Sequence, residues 1–243
     1  MNTIDILKQH RSIRKYKDQA IDKKVLLEII DAGRWASTSS FVQAYSLIRL
    51  NDKEKRLKLY EWTGGQKNVL NAPEFLIFCA DLTLIEKACI KHDVNLEKEY
   101  TEWLLIASVD TALFAQNIMV AAESLGLGGV YVGAIRNEID KVSSLLKLPQ
   151  GVVPLFGMCL GYPDQEPNQK PRLPLDLILH EEVYQSPDEE LLNQYDEEIK
   201  AYYIERTKGR LEHSWTEQMA QKASGENRPH IKSFLESKGY NKR

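Results

Sequence analysis

Cysteine is scarce in this sequence: three among 243 residues, Cys79, Cys89 and Cys159, an odd number without CxxC spacing. That excludes a disulfide framework and a zinc knuckle, and it suits a reducing cytoplasm. Cys79 and Cys159 lie inside hydrophobic runs, where a reduced thiol behaves as a small core residue. The five histidines, His10, His92, His180, His213 and His230, are scattered without metal-ligand spacing. No HExxH, GxxxxGK[ST], GxSxG or EF-hand loop occurs, so hydrolase and metal chemistry have no motif and no metal site is expected. His92 and His213 stand in polar segments and read as surface residues, while the four tryptophans, Trp35, Trp62, Trp103 and Trp215, read as packing residues. Neither sign of charge is in large excess: 32 Lys and Arg face 35 Asp and Glu, for a net charge of −3, which disfavours a nucleic-acid partner. Long hydrophobic runs are lacking too. The amino terminus has no apolar core of a secretory signal, and the stretch from Leu113 to Ile135 is broken by Gln116, Asn117, Glu123 and Ser124, so no membrane span is expected.

With 43% hydrophobic residues, the chain can fill at least one large core, and no linker composition interrupts its middle. Thr3 is placed to cap a short helix through Gln9, and Asp22 a second one bearing Leu26, Ile29, Ile30 and Gly33 on one face. The hydroxyl-rich Ser37–Ser40 stretch predicts a loop before a strand over Ala44–Leu50. A charged helix from about Asp52 to Trp62 is followed by the Gly64-Gly65 break and a buried strand over Phe75–Cys79. The pattern from Leu96 to Leu125 predicts a buried helix ended by Gly126 and Gly128, then a strand over Val130–Ile135, a helix capped by Asn137 and running to Leu146, and a strand over Val152–Leu160. Strands alternating with helices imply an α/β or α+β core. Beyond Pro187 the chain is acidic and helical over Asp188–Arg206, with Trp215 and Tyr240 as scattered anchors, which suggests packing on a partner subunit.

Three features are candidates for chemistry. His10, Arg11, Arg14, Lys15 and Lys17 form a basic run, in which Arg11, Ser12 and Arg14 fit either a phosphate monoester or a solvated face. Lys170-Pro-Arg172-Leu-Pro presents two cations on a proline-stiffened loop. Gly126-Leu-Gly-Gly-Val-Tyr-Val-Gly133 fails the dinucleotide fingerprint, because Tyr131 stands where a glycine is required and the run leads from helix to strand. Its glycines fit either the close approach of backbone N–H groups to a flat ligand or a plain helix end before a buried strand.

His10-Arg-Ser-Ile-Arg14, Ser37-Thr-Ser-Ser-Phe-Val-Gln43, Thr63-Gly-Gly-Gln-Lys67, Asp110-Thr-Ala, Ala121-Ala-Glu-Ser-Leu-Gly-Leu-Gly-Gly-Val-Tyr131, Val153-Pro-Leu-Phe-Gly157 and Lys170-Pro-Arg-Leu-Pro174 together resemble the nitroreductase superfamily. The likeness is strongest to its oxygen-insensitive NADPH nitroreductase and flavin reductase branch, and it runs in order from about Thr3 to the C-terminus. The resemblance implies an α+β fold with a central mixed sheet flanked by helices, as one domain over 1–243: a core to about 185 and a helical excursion over about 186–243 that wraps the other protomer of a homodimer. It implies non-covalent FMN at the subunit interface. His10, Arg11, Ser12, Arg14, Lys170 and Arg172 would hold its phosphate and pyrimidine edge. Thr38, Ser39 and Ser40 would approach from the other subunit, Gln66 would bond to the ring system, and Tyr131, Val132, Gly133 and Ala134 would line its N5 side. Relatives often have serine where Thr38 stands and glycine where Ala134 stands.

The cofactor would carry the redox chemistry, so no catalytic side chain is expected. The implied activity is ping-pong, two-electron reduction of nitroaromatics, quinones or free flavin by NADPH. Arg206 and Arg228 are the candidates for contact with NADPH, and Ser40 and Phe41 for contact with the acceptor. The same scaffold is compatible with other acceptors, such as an azo compound, a metal oxyanion or a disulfide, or with a flavin-binding module that does not turn over.

Overall fold

The computed structural model describes residues 2–240 and 242–243. The chain divides into two compact units, one of residues 1–167 with 228–243 and one of residues 168–227. Of the helical excursion expected over about 186–243, the last part therefore belongs to the first unit.

The first unit is built on a four-stranded sheet of β1 (Tyr45–Arg49), β2 (Glu74–Asp81), β3 (Gly128–Val132) and β4 (Val152–Gly161), in the order β1-β2-β4-β3. Every neighbouring pair is antiparallel, which corrects the expected mixed sheet. The register gives the reason: Arg49 at the end of β1 faces Leu76 near the start of β2, so the intervening helices return the chain to the end of the sheet it left.

β2 explains the layering. Glu74 to Ala80 are all buried, and because successive side chains point to opposite faces, the strand feeds two cores. Leu76 and Phe78 join Leu26, Ile29, Phe114, Ile118 and Met119 on one side, whereas Phe75, Ile77 and Cys79 join Leu59, Val69, Val132, Ile135 and Val142 on the other. Burying each large apolar side chain contributes roughly 1.5–3 kcal/mol.

The first core is covered by α2 (Lys23–Gly33), which Asp22 caps as expected, and by α6 (Thr101–Ser124). The α2 helix approaches α6 so closely that a Cβ on Gly33 would lie 2.4 Å from Ile118 Cγ1. By length and composition α6 is apolar enough to cross a membrane, a property the broken sequence pattern did not predict. Here it is a core helix, with Phe114, Ala115, Ile118, Met119 and Ala122 buried along one face. It ends in a Schellman motif: Leu127 N–H donates to Ala122 O at 3.0 Å and Gly126 N–H to Glu123 O at 3.1 Å, with Gly126 at φ +77°.

The second core is covered by α3 (Lys53–Trp62), α4 (Lys67–Asn71) and α7 (Ile139–Leu145). Several boundaries differ from the sequence expectations. Asn2, with Asp5, caps α1 (Thr3–Lys8) in place of Thr3. A separate helix, α5 (Thr83–Lys91), precedes α6. β3 stops at Val132, and residues Gly133–Glu138 form a 3-10 turn that contains Asn137, so Asn137 caps nothing. Trp35 is 77% exposed rather than packed.

Tyr240 is the largest fully buried side chain of the described chain, and its hydroxyl donates to Gly151 O at 2.8 Å. With Phe234 of α10 (Ile231–Ser237) it completes a third core around Ala80, Leu82, Ala107 and Val153, so it is an internal anchor and not an interface residue.

The second unit consists of the 168–188 loop, α8 (Glu189–Thr207) and α9 (Trp215–Ala223). Asp188 caps α8, and Tyr195, Ile199 and Tyr202 are buried. Asp196 ties α8 to α9: its carboxylate accepts from the Thr216 backbone N–H at 2.9 Å and from the Thr216 hydroxyl. Burial acts to raise the Asp196 pKa, but the hydrogen bonds from Thr216, Ser214 and Trp215 outweigh it and hold the carboxyl below its ordinary value. A depressed acid stabilises the fold above its unfolded pKa and loses that contribution as pH falls through the folded one. Acidification below about pH 4 is therefore expected to loosen the α8–α9 connection. Thermal melts at pH 7 and pH 3 should show a smaller pH-dependent drop in Asp196→Asn than in the unsubstituted protein.

Candidate functional site

The basic segment His10–Arg14 follows α1 as extended chain, and its alternation turns Ile13 inward. Ile13 is 5% exposed, it packs on Gly128, where a Cβ would lie 2.5 Å from Ile13 Cγ1, and its N–H donates to Gly129 O at 2.9 Å. The absence of side chains at 128 and 129 thus brings the basic segment and the glycine run together. Only a plain helix end would have needed glycine at 126 alone.

His10 Nδ1 lies 2.6 Å from Glu123 Oε1, which places a proton donor beside a carboxylate at the negative end of α6. Arg11 Nη1 reaches the exposed Glu166 at 3.4 Å, a long and solvent-screened contact, while its Nε is buried without a partner. Arg11 lines a pocket of about 570 Å³ with Gln9, Glu123, Gly128, Asp164 and Glu166. The Arg14 side chain is exposed, and the Arg14 backbone N–H donates to Gln165 Oε1 at 3.3 Å.

Tyr131, about one-third exposed on β3, donates to Gln116 Oε1 at 3.2 Å and packs edge-on against Phe156, 5.5 Å between ring centres. Burial, and secondarily the charge of Glu123, push its phenol pKa up, so it remains a protonated donor. Val132 is buried. At the turn that follows, a Cβ on Gly133 would come within 3.4 Å of Arg136 Nη2. Arg136 was not singled out from the sequence, although it stands three residues after the glycine run. It donates to Leu155 O, and His230 Nε2 lies 3.0 Å from its carbonyl oxygen. Burial, and then the charge of Arg228, lower the Arg136 pKa. Arg228, left-handed at φ +56°, donates from Nε to Asn137 Oδ1 at 2.9 Å. The structure therefore brings one of the two NADPH candidates to the turn that carries Gly133 and Ala134.

The loop from Thr38 to Gln43 is held by Asp110 of α6, which is fully buried and accepts from Ser39 N–H at 2.9 Å and Ala44 N–H at 3.1 Å. Between those anchors Ser40, Phe41 and Gln43 adopt left-handed φ of 46°, 60° and 56°, a conformation that costs non-glycine residues energy and persists only where the surroundings fix it. Thr38 Oγ1 is buried without a partner, and Phe41 projects outward at 81% exposure. Gln66 follows Gly64 and Gly65, both at positive φ, and precedes α4 as its N-cap residue, yet its side chain makes no capping hydrogen bond.

In the second unit Lys170 Nζ donates to Tyr203 Oη at 3.0 Å and lies 5.0 Å from that ring centre, and Arg172 Nη1 donates to Lys170 O at 2.6 Å. Arg206 Nη1 donates to Tyr202 Oη at 3.2 Å. Tyr202 and Tyr203 meet edge to face at 5.4 Å, so Lys170 and Arg206 flank one aromatic pair.

Residues 7–162 match the model of the nitroreductase family, and residues 170–243 match the model of that family's C-terminal domain. The chain belongs to the nitroreductase family. Among this nitroreductase's relatives is an oxygen-insensitive NADPH nitroreductase of Salmonella typhimurium, 45% identical over 238 residues that span 98% of each chain. The solved NfrA1 nitroreductase from B. subtilis superposes with a TM-score of 0.95 at 38% identity, and the NADPH:FMN oxidoreductase from Vibrio harveyi complexed with NAD+ with a TM-score of 0.91 at 43% identity, each over the full length of both chains.

Asp110 is the feature of this nitroreductase on which the loop geometry rests. A hydrogen bond to a charged group contributes about 1.5–3 kcal/mol, and an Asn amide supplies only one acceptor oxygen for two N–H donors. Asp110→Asn is expected to lower the unfolding free energy by about 1.5–3 kcal/mol in urea titrations. Hydrogen exchange at the Ser39 and Ala44 amides should accelerate. Protection equal to that of the unsubstituted protein would show that the loop holds itself.

Proposed function

We propose that this nitroreductase is an FMN-dependent oxidoreductase that uses NADPH for ping-pong, two-electron reduction of nitroaromatics, quinones or free flavin, as a cytoplasmic homodimer. The observation that carries the reading is the set of donors that protein atoms leave unsatisfied. Buried polar groups are almost always paired, yet Arg11 Nε and Thr38 Oγ1, both in segments assigned to the flavin, are buried without partners. Such donors fit a ligand rich in acceptor oxygens and ring nitrogens.

Bound FMN would supply hydride and electron transfer at its flavin ring. In this reading, His10, Arg11, Ser12, Arg14, Lys170 and Arg172 hold the phosphate and pyrimidine edge, where cations and N–H donors favour negative charge. Gln66, which caps no helix with its side chain, offers an amide to the ring system. Tyr131, Val132, Gly133 and Ala134 present backbone along one face, the small residues permitting close approach. Thr38, Ser39 and Ser40 act on the flavin of the other protomer, and the exposed Phe41 provides a flat apolar surface for a flat acceptor.

The dimer is supported by α6 itself. Leu105, Val109 and Leu113 recur every four residues along its outer side and are 55%, 53% and 43% exposed, an apolar stripe that a monomer would leave in water. A cytoplasmic setting agrees with three unpaired cysteines, two of them buried.

The purified protein is expected to show the visible absorbance of a flavoprotein and to bleach on anaerobic addition of NADPH. A protein that stays colourless with excess FMN would overturn the cofactor assignment, and a flavin that NADPH does not bleach would point to a binding module. Arg206 and Arg228 are proposed to meet NADPH. Replacing both with Ala is expected to raise the NADPH KM about tenfold or more, equivalent to about 1.4 kcal/mol, with a smaller effect on the acceptor KM. An unchanged NADPH KM would remove them from the site.

A further inference from the structure

Besides Arg11 Nε and Thr38 Oγ1, the described residues hold two more buried side-chain atoms without partners, Nε and Nη2 of Arg56. The flavin reading has no use for them. Arg56 is 8% exposed, in the first turn of α3, and its Nη1 donates to Ala72 O at 2.8 Å. Nε and Nη2 form the lateral edge of a guanidinium, the pair that donates two parallel hydrogen bonds to two oxygens of one phosphate or carboxylate. The Phe75 ring, 5.9 Å from Arg56 Cζ, supports the guanidinium but offers no acceptor oxygen. Burial lowers the Arg56 pKa, with the nearby Glu74 carboxylate acting against it, as expected of a cation short of a counter-ion.

Arg56 lines a pocket of about 450 Å³ together with Arg49, Asn51, Lys53, Leu70, Pro73 and Glu74. Three cations meet one carboxylate there. Glu74 is already committed, its two oxygens accepting from Arg49 Nε at 2.7 Å and Arg49 Nη2 at 2.5 Å. Lys53 and Arg56 stand three residues apart on the first turn of α3, whose end is already capped by the Asp52 carboxylate, which accepts from Lys55 N–H at 3.0 Å. The excess of two positive charges and the unused lateral edge favour the same kind of ligand, a compact oxyanion carrying more than one negative charge.

We propose that the pocket between the start of α3 and the start of β2 is a phosphate-binding site, separate from the flavin site, in which the guanidinium of Arg56 turns its lateral edge, closed to solvent without a ligand, toward the anion, and Arg49 and Lys53 balance its charge. The ligand class is inorganic phosphate or the phosphate group of a small monoester, for which the pocket leaves additional room.

The test uses FMN-loaded protein, so that a bound flavin phosphate blocks competing association at its own site. Inorganic phosphate and glycerol 3-phosphate are titrated separately by calorimetry at constant ionic strength, with chloride as the control. Saturable binding at one site per chain, absent with chloride, is expected. The stronger of the two ligands identifies free phosphate or a monoester as the source.

Lys53→Glu, at an exposed position, is expected to weaken binding at least tenfold without loss of visible flavin absorbance. Arg56→Lys, which keeps the charge but loses the lateral edge, is expected to weaken it as much. No binding beyond the chloride control would overturn the proposal, as would affinities that both variants leave unchanged. Flavin absorbance is read independently, so failure of the flavin assignment would not be mistaken for failure here.

Discussion

β2 has no face toward water, and much of the first unit follows from that constraint. A strand buried on both sides needs a covering layer on each: α2 and α6 supply one, and α3, α4 and α7 the other. Because α6 is held against β2 along one side, its polar residues occupy fixed stations. Asp110 holds the 38–44 loop, Glu123 meets His10, and Gln116 receives the Tyr131 hydroxyl. The candidate site is thus a set of loops and strand ends referred to one helix, whose position is set by hydrophobic burial rather than by polar contacts.

Much of this was legible in the residues. Asp22 caps the helix it was expected to cap, the acidic helix begins at Asp188 as expected, Phe75–Cys79 lies in the central strand, and the basic run and the glycine run both stand out in the residues. Strand direction was not legible, because alternation of helix and strand does not reveal whether a connection crosses the sheet or returns to the same end. The turn after β3 was missed for a related reason: Val132, Ala134 and Ile135 are apolar in either a strand or a 3-10 turn. Asp110 and Arg136 drew no role of their own. Their importance lies in backbone groups far along the chain, Ser39 and Ala44 in one case and Leu155 in the other, and no local spacing encodes such pairings.

Charge is distributed with similar economy. Arg49 and Glu74 satisfy one another with two short bonds, and Lys98 and Glu86 meet at 2.7 Å, whereas the half-buried Arg11 keeps one guanidinium nitrogen without a partner and the buried Arg56 keeps two. An unpaired buried cation is costly, and a fold tolerates it more readily where a ligand completes the pairing. Arg11 belongs to the motif-bearing segment, and Arg56 to a helix that no motif marks.

The placement of residues 228–243 has a consequence for how the molecule is made. Phe234 and Tyr240 close a core whose other walls come from Ala44 to Val153, yet the intervening residues 168–227 form a unit of their own. During translation, that intervening unit leaves the ribosome before the plug of the earlier core has been synthesised. Sheet and helices must therefore wait, with an apolar cleft open around Ala80 and Leu82, in a period when chaperones find their natural target.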